Sequence, residues 1–281
     1  MNMNPVPLDS PYWEMYTGAY GSVLPEIRIL AGADPISPQG KLRRLDFEEK
    51  DDYQIAFDNL CENLSHQMSC YDAMFLALPY IVRLYQQKKA ERSFTWQADI
   101  LSQAGICLAT DIPELNGESP EPLPEEIMSS YNAAVLRLKG FAKEFILENL
   151  NQMRLLNYDS RTFLMNGLIA ILGERVLANV LTMSCWDEDE CYLGCPDCDF
   201  CNEEPSLTDD EAQGLLVPAE PEPWDGKSFE NPLCWICGVL DKLGDKKEKQ
   251  LISYYYGTYT CPECGKKALL LDFAKSYLYG D

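Results

Sequence analysis

Histidine is almost missing from this chain of 281 residues: His66 is the only one. A single imidazole excludes histidine-rich metal centres and leaves one candidate general base of that kind. Basic side chains are also scarce. The 23 Lys and Arg residues face 45 Asp and Glu, for a net charge of −22. A field of that sign repels phosphate backbones and speeds the approach of basic partners. Long apolar runs are absent as well. The nearest, residues 163–181, is interrupted by Asn166, Glu174 and Arg175, so it reads as a core helix and not as a membrane span. The opening residues, Met1 to Asp9, have neither the basic nor the apolar segment of a secretory signal, which leads us to expect a cytoplasmic protein. No P-loop, dinucleotide fingerprint, nucleophile elbow or His-Glu-x2-His zinc motif is present either, so the sequence offers none of the common catalytic constellations.

Cysteine, by contrast, is plentiful, with twelve in the chain. Several come as pairs with two residues between them, the spacing of metal sites in a reducing compartment more than of a secreted disulfide framework. Two pairs share one form, Cys195-Pro196-Asp197-Cys198 and Cys261-Pro262-Glu263-Cys264. In each, the Pro-x dipeptide turns the backbone so that both sulfurs face one point. Gly265 supplies the left-handed residue such a turn favours, and Asp199 holds the matching place after the first pair. Two such claws make the four-sulfur tetrahedron that structural zinc prefers, with no coordination position left open for catalysis. The expected ligands of one structural Zn2+ are therefore Cys195, Cys198, Cys261 and Cys264. Cys201 follows Cys198 with two residues between them and competes with Cys195 for the first claw. Cys234-Trp235-Ile236-Cys237 could form a second site with Cys185, Cys191 or Cys201. Alternatively Cys234 and Cys237 pack as small apolar residues, since Leu233, Val239 and Leu240 around them read as a core helix.

The 46% hydrophobic and 24% charged content is that of an ordinary globular chain, long enough to bury a sizeable core in one domain or two. Residues 10–183 read as helical throughout. Ser10-Pro11 is a helix start, Gly18 and Gly21 bracket a turn, and a helix through Leu24, Ile27 and Leu30 stops at Gly32. Further helices are expected over 46–64, 69–88, 95–109, 124–150, 160–172 and 174–183. Leu24-Pro25-Glu26-Ile27 with Leu30 is echoed by Leu78-Pro79-Tyr80-Ile81 with Leu84. Repeated prolines in apolar helices suit hairpins that curve around one continuous core. After Met183 the composition shifts to acidic and cysteine-rich, and residues 203–226 read as a long exposed loop. Helix returns at 232–243 and 245–256. The expected architecture is an all-α, antiparallel helical-hairpin solenoid over 1–184, followed by a zinc-stapled C-terminal region over 185–281.

Two weaker constellations complete the candidates. His66 and Cys70 are close enough in sequence for a nucleophile–base pair, although a histidine at a helix junction more commonly bonds backbone groups there. Lys246, Lys247, Lys249, Lys266 and Lys267 lie near Tyr254, Tyr255 and Tyr256, and basic residues interleaved with aromatics can hold a nucleic-acid strand.

The run Leu60-Cys61-Glu62-Asn63-Leu64-Ser65-His66-Gln67-Met68-Ser69-Cys70-Tyr71-Asp72-Ala73, continued by Ala77-Leu78-Pro79, resembles bacterial HEAT-repeat proteins. In these a His-Gln followed by Ser-x-Tyr-x-Ala precedes an apolar Ala-x-Pro helix. The stretch Tyr256-Gly257-Thr258-Tyr259-Thr260-Cys261-Pro262-Glu263-Cys264-Gly265, after a helical pair, is similar to the C-terminus of some members. The chain departs from the pattern at Met68, where Gly is usual, and in its extra cysteines and acidic loop. The resemblance implies a HEAT-like scaffold that binds other proteins, sometimes within toxin–immunity systems, and brings no established catalytic residue. The expectation is thus a non-enzymatic, zinc-stabilised protein that binds a partner protein, which its acidity suits to be basic. A zinc ribbon associated with nucleic acid is the alternative.

Overall fold

The computed structural model describes residues 3–33, 52–66, 69–110, 123–183, 192–202 and 206–280. It is mostly helical, with three small antiparallel sheets among the described residues. The chain divides into two compact units, Met1–Phe141 and Ala142–Asp281. That division falls inside a long helix, whereas the shift in composition comes only after Met183.

The first unit begins with α1 (Tyr12–Met15) and α2 (Leu24–Leu30), joined through the Gly18–Gly21 turn. Ser10 Oγ accepts the Tyr12 N–H at 3.3 Å, but the residue in the cap position of α1 is Pro11, one place later than the sequence suggests. Trp13 is wholly buried, and its indole N–H donates to Pro7 O at 2.9 Å. Next come α3 (Asp52–Leu64), β1 (Ser65–His66), β2 (Ser69–Cys70), α4 (Ala73–Ala90), α5 (Phe94–Thr110) and α6 (Glu125–Met153), which continues into the second unit. The proline echo has a structural meaning, but not that of two equivalent kinked helices. Pro25 stands at the start of α2, where its missing N–H costs nothing, while Pro79 lies inside α4. The apolar residues of the two strings meet: Ile27 and Leu30 face Ile81 and Leu84 around a cavity of about 150 Å³. The expected helix start at Ser69 is also corrected. Ser65–His66 and Ser69–Cys70 form a two-stranded hairpin, and α4 begins only after it.

The second unit holds α7 (Tyr158–Leu172), α8 (Arg175–Met183), β3 (Leu193–Gly194), β4 (Cys201–Asn202), α9 (Leu207–Ala212), β5 (Leu216–Val217), α10 (Pro232–Leu243), α11 (Lys246–Tyr255), β6 (Thr258–Thr260), β7 (Lys267–Leu269) and α12 (Leu270–Tyr279). Capping explains several starts. Asn157 accepts from the Ser160 N–H, and Asn231, just before Pro232, accepts from the Cys234 N–H. At the start of α11, Asp245 receives a two-pronged bond from Arg161 of α7 (Nε–Oδ2 2.7 Å, Nη2–Oδ1 2.6 Å). β5, β6 and β7 make one sheet in that order, with Val217, Thr258 and Leu269 in one row and Leu216, Tyr259 and Ala268 in the next.

The described part of 203–226 is not a long exposed loop. Leu207 and Leu216 are buried, and burying them draws the segment into α9 and β5. It then crosses α10 and α11 as a strap. Ala219 N–H donates to Ser253 O at 2.9 Å, Trp224 lies over Gly238, and Phe229 meets Trp235 with ring centroids 5.6 Å apart. A Cβ at Gly238 would collide with Trp224. Gly238→Ala gains about 1 kcal/mol of helix propensity but is expected to lose about 1–3 kcal/mol to the overpacked strap. A lower denaturant midpoint shows that the clash wins, and an unchanged or higher one removes this account.

Candidate metal centre

The two Cys-Pro-x-Cys pairs fold into matching knuckles. In the first, the Cys195 N–H donates to Phe200 O at 2.9 Å; in the second, the Cys261 N–H donates to Lys266 O at 2.8 Å. The same residue spacing thus closes both loops, each between short strands, β3–β4 and β6–β7. Gly265 is left-handed as expected, with φ 77°, and its N–H reaches Cys261 O at 3.0 Å. Asp199 is not left-handed. The strand-to-strand bond from Cys195 to Phe200 closes the first knuckle without a residue of that conformation.

The knuckles face one another and bring Cys195, Cys198, Cys261 and Cys264 together, with all four sulfurs within 4.8 Å of each other. Between the knuckles, Cys195 Sγ approaches Cys264 Sγ at 3.6 Å and Cys198 Sγ approaches Cys261 Sγ at 3.7 Å. Four convergent thiols at this spacing could hold a metal ion. Their ionisation is strongly uneven. Burial pushes the Cys261 thiol up, but the N–H donors of Cys264 and Glu263, with the Cys264 and Cys198 thiols, outweigh it and bring it down to about 7. For Cys198 the Phe200 N–H favours the thiolate, yet burial and its bonds to the other three thiols push it up to about 12. Anions cannot crowd one point without a cation among them. Lys266 Nζ also bridges from the second knuckle to Asp197 Oδ2 of the first at 2.8 Å. Sequence reasoning missed this pair. It depends on how two distant loops dock, and no spacing rule reports that.

Binding a metal to thiols releases their protons, so acid must drive the ion off. Lowering the pH is expected to release it progressively, as read by a chromogenic indicator. Retention even in strong acid, where protons outcompete a divalent ion for sulfur, would exclude thiolate ligation.

The remaining candidates are dispersed. Cys201 is exposed on β4, opposite Gly194 and outside the cluster. Cys237 is buried in α10, its thiol pushed up to about 11 chiefly by desolvation, and it donates to Lys249 O at 3.9 Å. It packs as an apolar residue, and no second cluster occurs among the described residues. Cys185 and Cys191 lie outside the described residues. His66 sits on β1 opposite Ser69, and its ring meets the Tyr20 hydroxyl at 3.0 Å. Cys70 stands opposite Ser65, so the hairpin places it on the other face from His66. The lysine–tyrosine constellation is likewise taken apart. Tyr254 and Tyr255 are buried, the Tyr256 hydroxyl donates to Glu174, and Lys249 and Lys266 are ion-paired with Asp241 and Asp197. No helix among the described residues is long and apolar enough to cross a membrane.

No protein-family model, curated protein or solved structure matches this chain.

Proposed function

We propose that this is a non-enzymatic, cytoplasmic helical protein stapled by one structural Zn2+, and that it binds a basic partner protein. In this reading Cys195, Cys198, Cys261 and Cys264 are the zinc ligands, 1–184 is a HEAT-like helical-repeat region, and 185–281 is the zinc-binding region. The observation that carries it is the spacing of the four sulfurs. Thiolates about 2.3 Å from a central zinc stand about 3.8 Å apart at the corners of a tetrahedron, close to the 3.6 and 3.7 Å between the knuckles. A site closed by four thiolates stabilises structure and leaves no position for a substrate. Free thiols in such number suit a reducing compartment.

The partner half of the proposal rests on charge. An excess of −22 steers basic proteins and raises their association rate. An acidic immunity or inhibitor protein acting on a basic toxin fits that charge and the resemblance to HEAT-repeat proteins. The test is co-purification from the native background, followed by titration of the purified partner. The expected result is a complex of fixed stoichiometry that weakens with salt. Equal, non-saturating retention of unrelated basic proteins such as polylysine would reduce the charge to a solubility device.

A further inference from the structure

The four clustered sulfurs differ in their access to solvent. Cys264 is exposed and Cys198 half-buried, whereas Cys195 and Cys261 are buried. Two contacts across the centre each join one accessible sulfur to one buried sulfur of the opposite knuckle, Cys264 to Cys195 at 3.6 Å and Cys198 to Cys261 at 3.7 Å. We propose that the centre is a redox-responsive cross-link, in which hydrogen peroxide converts the four thiolates into two disulfides between the knuckles, Cys195–Cys264 and Cys198–Cys261, and frees the metal. The inference rests on the metal reading above.

The chemistry balances in two steps for each pair. The Cys264 thiolate attacks one oxygen of peroxide; the O–O bond breaks, hydroxide leaves and takes a proton to become water, and a sulfenic acid remains. The Cys195 thiolate then attacks the sulfenic sulfur. An S–S bond forms, the S–O bond breaks, and the departing hydroxide is protonated to a second water. One peroxide thereby accepts two electrons and two protons for each disulfide, and Cys198 with Cys261 consume a second. The ion, left without thiolates, returns to solution as the divalent cation.

Burial sets which thiol reacts first, and the 3.6 and 3.7 Å approaches between the knuckles set its partner. The accessible thiol of each pair meets the oxidant, and the buried one is shielded from it while standing at contact distance from the sulfenic sulfur. Condensation with that neighbour therefore outruns further oxidation by a second peroxide. The consequence is that the same two chain segments stay joined, first by the metal and then by sulfur. Oxidation changes the metal content without releasing β3 and β4 from β6 and β7. A dithiol reductant with added zinc restores the original centre.

The test uses the full metal-loaded chain titrated with hydrogen peroxide, with released metal read by an indicator. Disulfides are mapped after cleavage at Asp197 and Glu263, which lie between the two cysteines of each knuckle. The expected result is complete metal loss in step with the two cross-knuckle disulfides, both reversed by dithiothreitol and zinc. Disulfides within a knuckle, disulfides through the exposed Cys201, or sulfinic acids in place of disulfides would overturn it. A metal assay on the untreated chain keeps the two readings apart. No bound metal defeats the metal reading, and peroxide mapping of that chain still decides the pairing. Metal that is present and stays bound after Cys201 has fully reacted defeats the redox inference alone.

Discussion

Replacing Cys261 by serine is expected to abolish metal binding and to melt the knuckles with the strands that carry them. Cys261 is buried between β6 and β7 and lies 3.7 Å from Cys198 of the other knuckle. Small zinc-folded peptides gain on the order of 10–16 kcal/mol from their ion, comparable to the total stability of a domain. Strands of two or three residues cannot hold themselves together without such a cross-link. The expected signature is rapid protease cleavage around residues 193–202 and 258–269 in Cys261→Ser, and the same pattern in wild type stripped by a chelator. Cys201→Ser, outside the cluster, serves as the control and should behave as wild type. A Cys261→Ser protein with wild-type metal content and protease resistance would sink the metal reading.

The second large effect is expected at Arg161. Its guanidinium makes two bonds to Asp245 and a third, from Nη1 at 2.9 Å, to Leu156 O. The side chains of the pair are only 14% and 9% exposed, so water cannot stand in for a missing partner. Arg161→Ala would strand the Asp245 carboxylate in that site, at a cost of about 3–5 kcal/mol, or on the order of 10 °C in melting temperature. The double replacement Arg161→Met with Asp245→Leu should recover most of the loss, because apolar residues of similar volume need no counter-charge. Single and double variants destabilised equally would mean that packing of the stems, and not the ion pair, carries the effect. The exposed pair of Lys266 with Asp197 should contribute far less, because solvent screens it.

The helices were legible because their signals are local. Pro232 and Asn231 mark the start of α10 through one proline and one capping side chain, and the sequence reading placed its ends at the observed residues. The apolar pattern of residues 160–183 likewise separated α7 from α8. The knuckle cysteines were legible for the same reason, since a Cys-Pro-x-Cys turn is encoded within a few residues. What escaped was held by partners distant in sequence. β5 is two residues long and too short to show an alternating pattern, and it exists because Leu216 pairs with Tyr259. His66 offered no local sign of meeting Tyr20, nor did Asp197 of meeting Lys266.

The sequence by itself determined that the chain is mostly helical, strongly acidic and equipped with two matched thiol claws. Each of these follows from composition or from spacings shorter than two helical turns. Only the tertiary structure decided which claws meet, that Cys201 stays outside, that Cys237 is buried packing, and that the segment after residue 206 is a docked strap. These outcomes are set by burial and by cross-strand bonds between residues far apart in the chain. A periodicity reports one side of such a contact and is silent about the other.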